Sequence, residues 1–119
     1  MWNEDLPLIR RGETICSADA LADGASLKFR VEEGGRQVEA FVIRFEGRCY
    51  AYVNRCAHMA LGLDMADNDF FTVDFRALIC KTHGATYFPD SGLCFSGPCY
   101  GESLEAVPIA LRDGNVVLA

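Results

Sequence analysis

Two short motifs contain the residues of this sequence that are best suited to chemistry. Each brings one cysteine and one histidine close together, in Cys56-Ala57-His58 and in Cys80-Lys81-Thr82-His83. They hold the only two histidines of the chain, and 21 residues, 59–79, separate them. Thiolate sulfur and imidazole nitrogen are ligands that zinc, iron and copper accept. The motifs therefore predict one metal site with four candidate ligands: Cys56, His58, Cys80 and His83.

Predicted strands lead into both motifs. Residues 49–53 form an apolar and aromatic run that ends just before the first motif, and the short apolar stretch 77–79 precedes the second. Such runs are typical of buried strands. Because a strand is rigid and each motif directly follows one, we expect the strands to aim the two loops at a common point.

The rest of the chain also has the pattern of strands and hairpins. Strands are predicted over 27–31, 38–45, 87–88, 93–95, 104–111 and 116–118, with turns at 33–36, 46–48, 89–92 and 112–115. One helical turn is predicted at 17–21, with Ser17 as its N-cap. We expect a single all-β domain of antiparallel sheets over residues 1–119. The motif segment, about 54–96, is expected to be a small subdomain inserted in a β framework made by 1–53 and 97–119.

Composition excludes several classes of function. The chain has 119 residues, a formal net charge of −6 and no cluster of lysine or arginine, which argues against binding to nucleic acid. No apolar run approaches the roughly 20 residues of a membrane span. The acidic N-terminus lacks the basic and apolar regions of a signal peptide. We therefore expect a cytoplasmic protein in which the six cysteines stay reduced unless they bind metal.

Three interpretations of the four candidate ligands remain open at this point. In a [2Fe–2S] site, two cysteines hold one iron and two histidines hold the other. In a structural zinc site, the same four residues surround one tetrahedral ion, although common zinc motifs pair cysteine with cysteine and histidine with histidine. In the third interpretation the residues merely share loops and bind no metal.

The spacing Cys-x-His followed by Cys-x2-His-Gly, which ends here at Gly84, resembles the signature of the Rieske family. The resemblance extends to the aromatic turn 87–92, to Ser96-Gly97-Pro98 as the proline loop that covers the cluster, and to the closing strands around 104–118. It implies a Rieske-like fold and one [2Fe–2S] cluster. It also implies that both cysteines bind one iron, and that both histidines bind the other at the exposed tip.

The neighbours of the ligands differ from those of the cytochrome bc type of Rieske protein. That type typically has a serine two residues after the last histidine and a tyrosine two further on, where this chain has Ala85 and Tyr87. Its two loops are joined by a disulfide, at positions that match Leu61 and Thr82 here. The resemblance therefore implies a ferredoxin-like carrier with a potential in the lower part of the Rieske range, and with Tyr87 as a candidate hydrogen-bond donor to a cysteine sulfur.

Two further features have two interpretations each. Cys94 and Cys99 are interpreted as reduced thiols near the proline loop, or as a disulfide that fastens that loop over the cluster. The gap between the motifs is longer than the family usually shows, and the stretch 64–71 carries the extra length. It is interpreted as a solvated loop or, because of its acidic and aromatic residues, as a docking element near the cluster.

The predicted function is one-electron transfer, as in a Rieske-type ferredoxin. Its partners would be a flavoprotein reductase and a terminal oxygenase or another reductase. A Rieske oxygenase needs a second iron site with two more histidines, and none remains in this sequence, so we expect a non-catalytic component of a redox system. The alternatives are the small Rieske subunit of an assimilatory nitrite reductase and, from another class, a zinc-stabilised interaction module.

Overall fold

The computed structural model describes residues 6–57, 62–64 and 68–119. His58 and Leu61 lie outside these residues. The described part contains nine strands and one short 3₁₀ turn, Ala18–Ala20. The strands are β1 (Thr14–Ser17), β2 (Ser26–Glu33), β3 (Arg36–Phe45), β4 (Arg48–Val53), β5 (Leu78–Ile79), β6 (Thr86–Tyr87), β7 (Cys94–Ser96), β8 (Ile109–Arg112) and β9 (Asn115–Leu118). Among the described residues, no helix has the length and apolar character to cross a membrane.

The strands form three antiparallel sheets of three strands each, in the orders β2-β3-β4, β1-β9-β8 and β5-β6-β7. This confirms the prediction of an all-β fold. The hairpin between β8 and β9 turns at Asp113 and Gly114, which both have positive φ angles, of 52° and 79°. Such a two-residue turn matches the natural twist of a hairpin, as the Asp-Gly pair predicted.

The structure differs from the sequence predictions at three places. Strand β1 was not predicted, because its four residues are too few to show a periodic pattern and it depends on pairing with β9. The strand predicted over 104–111 begins only at Ile109, after Pro108, which has no N–H to donate. The predicted turn near Ser17 is present as Ala18–Ala20, but the Ser17 side chain makes no capping hydrogen bond.

Strand β3 lies between two hydrophobic cores. Because alternate side chains of a strand point to opposite faces, Ala40 and Val42 join the core of the framework, while Phe41 and Ile43 join a second core around the cysteine–histidine motifs. Phe41 stacks on Phe70 with 3.9 Å between the ring centroids. Cys56 and Cys80 therefore share a core with one face of the β2-β3-β4 sheet.

Candidate metal centre

The second motif is a tight turn between β5 and β6. Cys80 follows directly after β5, and its N–H donates to the Ala85 carbonyl at 2.8 Å. The Gly84 N–H donates to the Cys80 carbonyl at 2.7 Å, which closes the turn around His83. Gly84 has a φ of 74°, a left-handed conformation that glycine adopts without strain. Cys80 and His83 are thereby held on one short loop.

The structure brings together three of the four predicted ligands. The Sγ atoms of Cys56 and Cys80 and one ring nitrogen of His83 all lie within 4.8 Å of one another. The distance from Cys80 Sγ to His83 Nδ1 is 3.6 Å. Both cysteines are buried and His83 is half-buried. The fourth predicted ligand, His58, is outside the described residues.

The two buried sulfur atoms need a nearby cation in order to ionise. Burial raises the pKa of Cys80, and the neighbouring thiol of Cys56 raises it further, while backbone N–H groups of the turn act in the opposite direction. Two adjacent buried thiols are costly to ionise unless a cation compensates their charge. A bound metal supplies that charge, since a coordinating thiol is deprotonated. Two sulfur donors beside an imidazole suit zinc or iron.

Tyr87 contacts the buried sulfur side of this centre. Its hydroxyl oxygen is 3.3 Å from Cys56 Sγ and accepts a hydrogen bond from the Ala57 N–H at 3.1 Å. Burial, followed by the contacts with two sulfur atoms, raises the pKa of Tyr87, so the hydroxyl keeps its proton. The predicted contact between Tyr87 and a cysteine sulfur is confirmed.

The Tyr87 hydroxyl also contacts one of a second pair of thiols, those of Cys99 and Cys94. The Tyr87 hydroxyl is also 3.3 Å from Cys99 Sγ, and the Cys99 thiol donates to Cys94 Sγ at 3.1 Å. Both cysteines are buried and free, in agreement with the interpretation as reduced thiols. Burial raises the pKa of Cys99 to about 11. Sequence analysis missed the contact of Cys99 with Tyr87, because no sequence pattern relates the two residues.

The proline loop packs closely against the second motif. Gly97 has a φ of 109°, and a Cβ atom added there would be only 2.8 Å from the Cα of Ala85. Ala85 itself is completely buried. The loop at 96–98 therefore lies directly against the residue that takes the place of the serine found in the cytochrome bc type.

The stretch 64–71 is only partly solvated where the structure describes it, because Asn68 and Asp69 are exposed and the other three described residues are buried. Phe70 and Phe71 are buried in the core around the motifs, and Asp64 is 1% exposed. Asp64 forms an ion pair with Lys28 of β2, with 3.0 Å between carboxylate oxygen and Nζ. Residues 65–67 are outside the described part. Sequence analysis missed this pair, because the charged partner comes from a distant strand.

Comparison with known proteins gives a consistent result. The model of the Rieske [2Fe-2S] domain family matches residues 13–110. The ferredoxin of carbazole 1,9a-dioxygenase from Nocardioides aromaticivorans IC177 is 22% identical, with 92% of this chain and 97% of that chain covered and a TM-score of 0.69.

Two further solved structures are similar. One is the complex of reduced oxygenase and oxidized ferredoxin in carbazole 1,9a-dioxygenase, with 24% identity, 90% of this chain and 100% of that chain covered, and a TM-score of 0.68. The other is the Sphingomonas yanoikuyae B1 ferredoxin, with 19% identity, 91% and 97% covered, and a TM-score of 0.67. No curated protein sequence matches the chain. At these identities the structural likeness establishes the fold.

Proposed function

Since the chain belongs to the Rieske [2Fe-2S] domain family, whose model matches residues 13–110, we propose that it is a ferredoxin-like carrier of single electrons. When bound, a cluster of this kind takes up and releases one electron at a potential that its surroundings set. The observation that carries the proposal is the convergence of Cys56, Cys80 and His83, whose donor atoms lie within 4.8 Å of one another.

The donor set fits the cluster of this family. In the proposal, the two buried sulfur atoms of Cys56 and Cys80 bind one iron, and His58 and His83 bind the other. The half-buried position of His83 supports this division, because it leaves the imidazole side of the centre nearer to the surface than the sulfur side. Metal ligands that are buried on one side and reachable on the other suit electron exchange with a partner protein.

The residues around the centre set its potential. Tyr87 is placed to donate its hydroxyl proton to the Cys56 thiolate, and such a bond stabilises negative charge. Ala85 has no donor to add. One hydrogen bond fewer to an anionic group disfavours an additional electron. The proposal therefore includes a potential in the lower part of the Rieske range.

The proposed partners are a flavoprotein reductase as electron donor and a terminal oxygenase as acceptor. The structural neighbours that support the acceptor are ferredoxins of dioxygenase systems, one of them in complex with its oxygenase. The net charge of −6 favours docking on a basic surface of the partner. We include a cytoplasmic location in the proposal, which fractionation of the native cells would test.

A spectrum and a reconstituted electron-transfer assay test this function. The purified protein should be brown and contain iron and acid-labile sulfide in equal amounts. A flavoprotein reductase should reduce it, and the reduced protein should support turnover by a terminal oxygenase. Cys80→Ser should abolish the colour, while Cys94→Ser, a matched change of a buried cysteine outside the ligand set, should keep it. A colourless protein with one zinc ion would refute the proposal.

A further inference from the structure

A buried polar network joins the first motif to the framework. Lys28 of β2 is 9% exposed and Asp64 is 1% exposed, yet both carry charge. The Asp64 carboxylate accepts from Lys28 Nζ at 3.0 Å, from the Asn54 side-chain amide at 3.2 Å and from the Asn68 N–H at 2.8 Å. The Asn54 amide also donates to Glu39 of β3 at 2.7 Å. Glu39 is half-buried and also lies 3.8 Å from Lys28 Nζ. We call Lys28, Asn54 and Asp64 the buried network, with Glu39 at its edge.

The buried network reaches the two loops that carry the ligands. Asn54 precedes Cys56 by two residues, and its side-chain oxygen accepts the Leu63 N–H at 2.8 Å. The Leu63 carbonyl in turn accepts the Lys81 N–H at 2.9 Å, directly after Cys80. Leu63 is completely buried. Its backbone therefore connects the loop of Cys56 with the loop of Cys80, and Asp64 is the next residue.

The energetics of buried charge point to a role in positioning. A buried ion pair adds little to stability compared with apolar residues of the same size, because removing two charges from water costs as much as their attraction returns. Loss of one partner is costly, since the other charge stays buried and unpaired. A carboxylate that accepts three hydrogen bonds from three segments instead fixes those segments relative to one another.

We propose that Asp64 is a positioning residue for the metal centre. Held by Lys28, it fixes residues 63–64 so that Leu63 can hold the loops of Cys56 and Cys80 at the separation that the ligands need. In this role the Asp64 carboxylate replaces the disulfide that joins the two loops in the cytochrome bc type, since this chain has Thr82 instead of a cysteine at one of the two matching positions. The inference rests on the proposed function, because it requires that the centre holds its cluster.

The test compares cluster loss with unfolding in the cluster-loaded protein. Bleaching of the visible absorbance is followed in excess ferrous chelator, and unfolding is followed by circular dichroism in urea. Asp64→Asn should bleach at least about tenfold faster, as expected when one partner of a buried pair is lost. The EPR spectrum of the reduced variant, which reports ligand geometry, should be broadened.

Two further variants separate positioning from general stability. Asp69→Asn is the matched control, because it makes the same change at an exposed carboxylate 3.4 Å from Lys81 Nζ, and it should bleach like the wild type. The double variant Lys28→Met with Asp64→Leu removes both charges of the buried pair. Glu39, which lies 3.8 Å from Lys28 Nζ, is 17% exposed to water and keeps its hydrogen bond from Asn54. The double variant should unfold at the wild-type urea concentration and still bleach as fast as Asp64→Asn.

The outcomes are distinct. If Asp64→Asn bleaches at the wild-type rate, or if the double variant recovers wild-type bleaching together with its stability, Asp64 does not position the centre. If Asp64→Asn does not fold, the double variant alone decides between these results. A wild-type protein that never carries a cluster contradicts the proposed function itself and is recognised before any variant is made.

Discussion

Replacing Tyr87 with phenylalanine removes one hydroxyl group from the buried side of the metal centre. That hydroxyl is 3.3 Å from Cys56 Sγ and 3.1 Å from the Ala57 nitrogen. Phenylalanine has nearly the same shape, so the packing of a completely buried side chain is preserved. The variant therefore removes the contact with Cys56 Sγ together with those to the Ala57 N–H and Cys99 Sγ, and only the first of these involves a proposed ligand sulfur. We expect the midpoint potential of the loaded protein to fall.

The size of the fall follows from the energy of the bond. A hydrogen bond to a charged group contributes about 1.5–3 kcal/mol. The potential changes only by the amount by which this hydrogen bond is stronger in the reduced state than in the oxidised state. We take that difference as about 1 kcal/mol. A tenfold change in an equilibrium constant corresponds to about 1.36 kcal/mol and, for transfer of one electron, to about 59 mV. The expected fall is therefore about 40 mV, and about 130 mV is the upper bound from the whole bond.

Protein-film voltammetry on the loaded protein measures this shift. Tyr52→Phe is the matched control, because its hydroxyl donates to the Pro89 carbonyl at 2.7 Å instead of to a cysteine. The control should leave the potential unchanged. A Tyr87→Phe potential that equals the wild-type value, or exceeds it, would refute the assignment of Tyr87 as a donor to Cys56.

Three further predictions concern the same region. Ala85→Ser should raise the midpoint potential by adding a hydrogen-bond donor beside the centre. An unchanged potential in voltammetry would show that the lack of a serine at this position does not lower the potential. Gly97→Ala should destabilise the fold by about 1–3 kcal/mol in urea, because the new Cβ meets the Ala85 backbone at 2.8 Å; a change below about 0.5 kcal/mol would contradict the close packing. Burial alone would raise the pKa of Asp64, but hydrogen bonds from Asn54, Lys28 and the Asn68 N–H outweigh it and lower the pKa. The stability from this carboxylate is therefore present above its unfolded pKa of about 3.9 and lost as the pH falls through the lower folded value. The difference in unfolding free energy between wild type and Asp64→Asn should be flat from pH 5 to 8 and shrink below about pH 4; a difference that already shrinks near pH 6 would contradict the lowered pKa.

Local signals explain what the sequence predicted correctly. The hairpins β2-β3 and β8-β9 have alternating apolar residues and turns rich in glycine, so neighbouring residues alone specify them. The motif spacing likewise restricts the metal ligands, because a cysteine and a histidine in one short loop are necessarily near each other. The convergence of Cys56 with Cys80 follows from the two strands that precede them.

Contacts between distant segments explain what the sequence did not predict. The pairing of Lys28 with Asp64 depends on how β2 packs against residues 62–64, and neither residue has a periodic neighbour that signals burial. The acidic composition of 64–71 suggests a solvated stretch, yet the tertiary structure buries Asp64 and pairs its charge with Lys28. The contact between Cys99 and Tyr87 arises where the proline loop folds back over β6, which local propensity does not encode.

The two-faced strand β3 limits how this domain can be engineered. Its Phe41 side chain stacks on Phe70, and Phe41 is paired across the sheet with Lys28, the partner of Asp64. A graft of the metal-binding segment onto a foreign β scaffold would leave these contacts behind. The grafted segment would keep its contacts only when the recipient sheet has an aromatic residue and a lysine at the same paired positions. A minimal redox module designed from this domain should therefore include the β2-β3 strand pair as part of the cofactor's binding site.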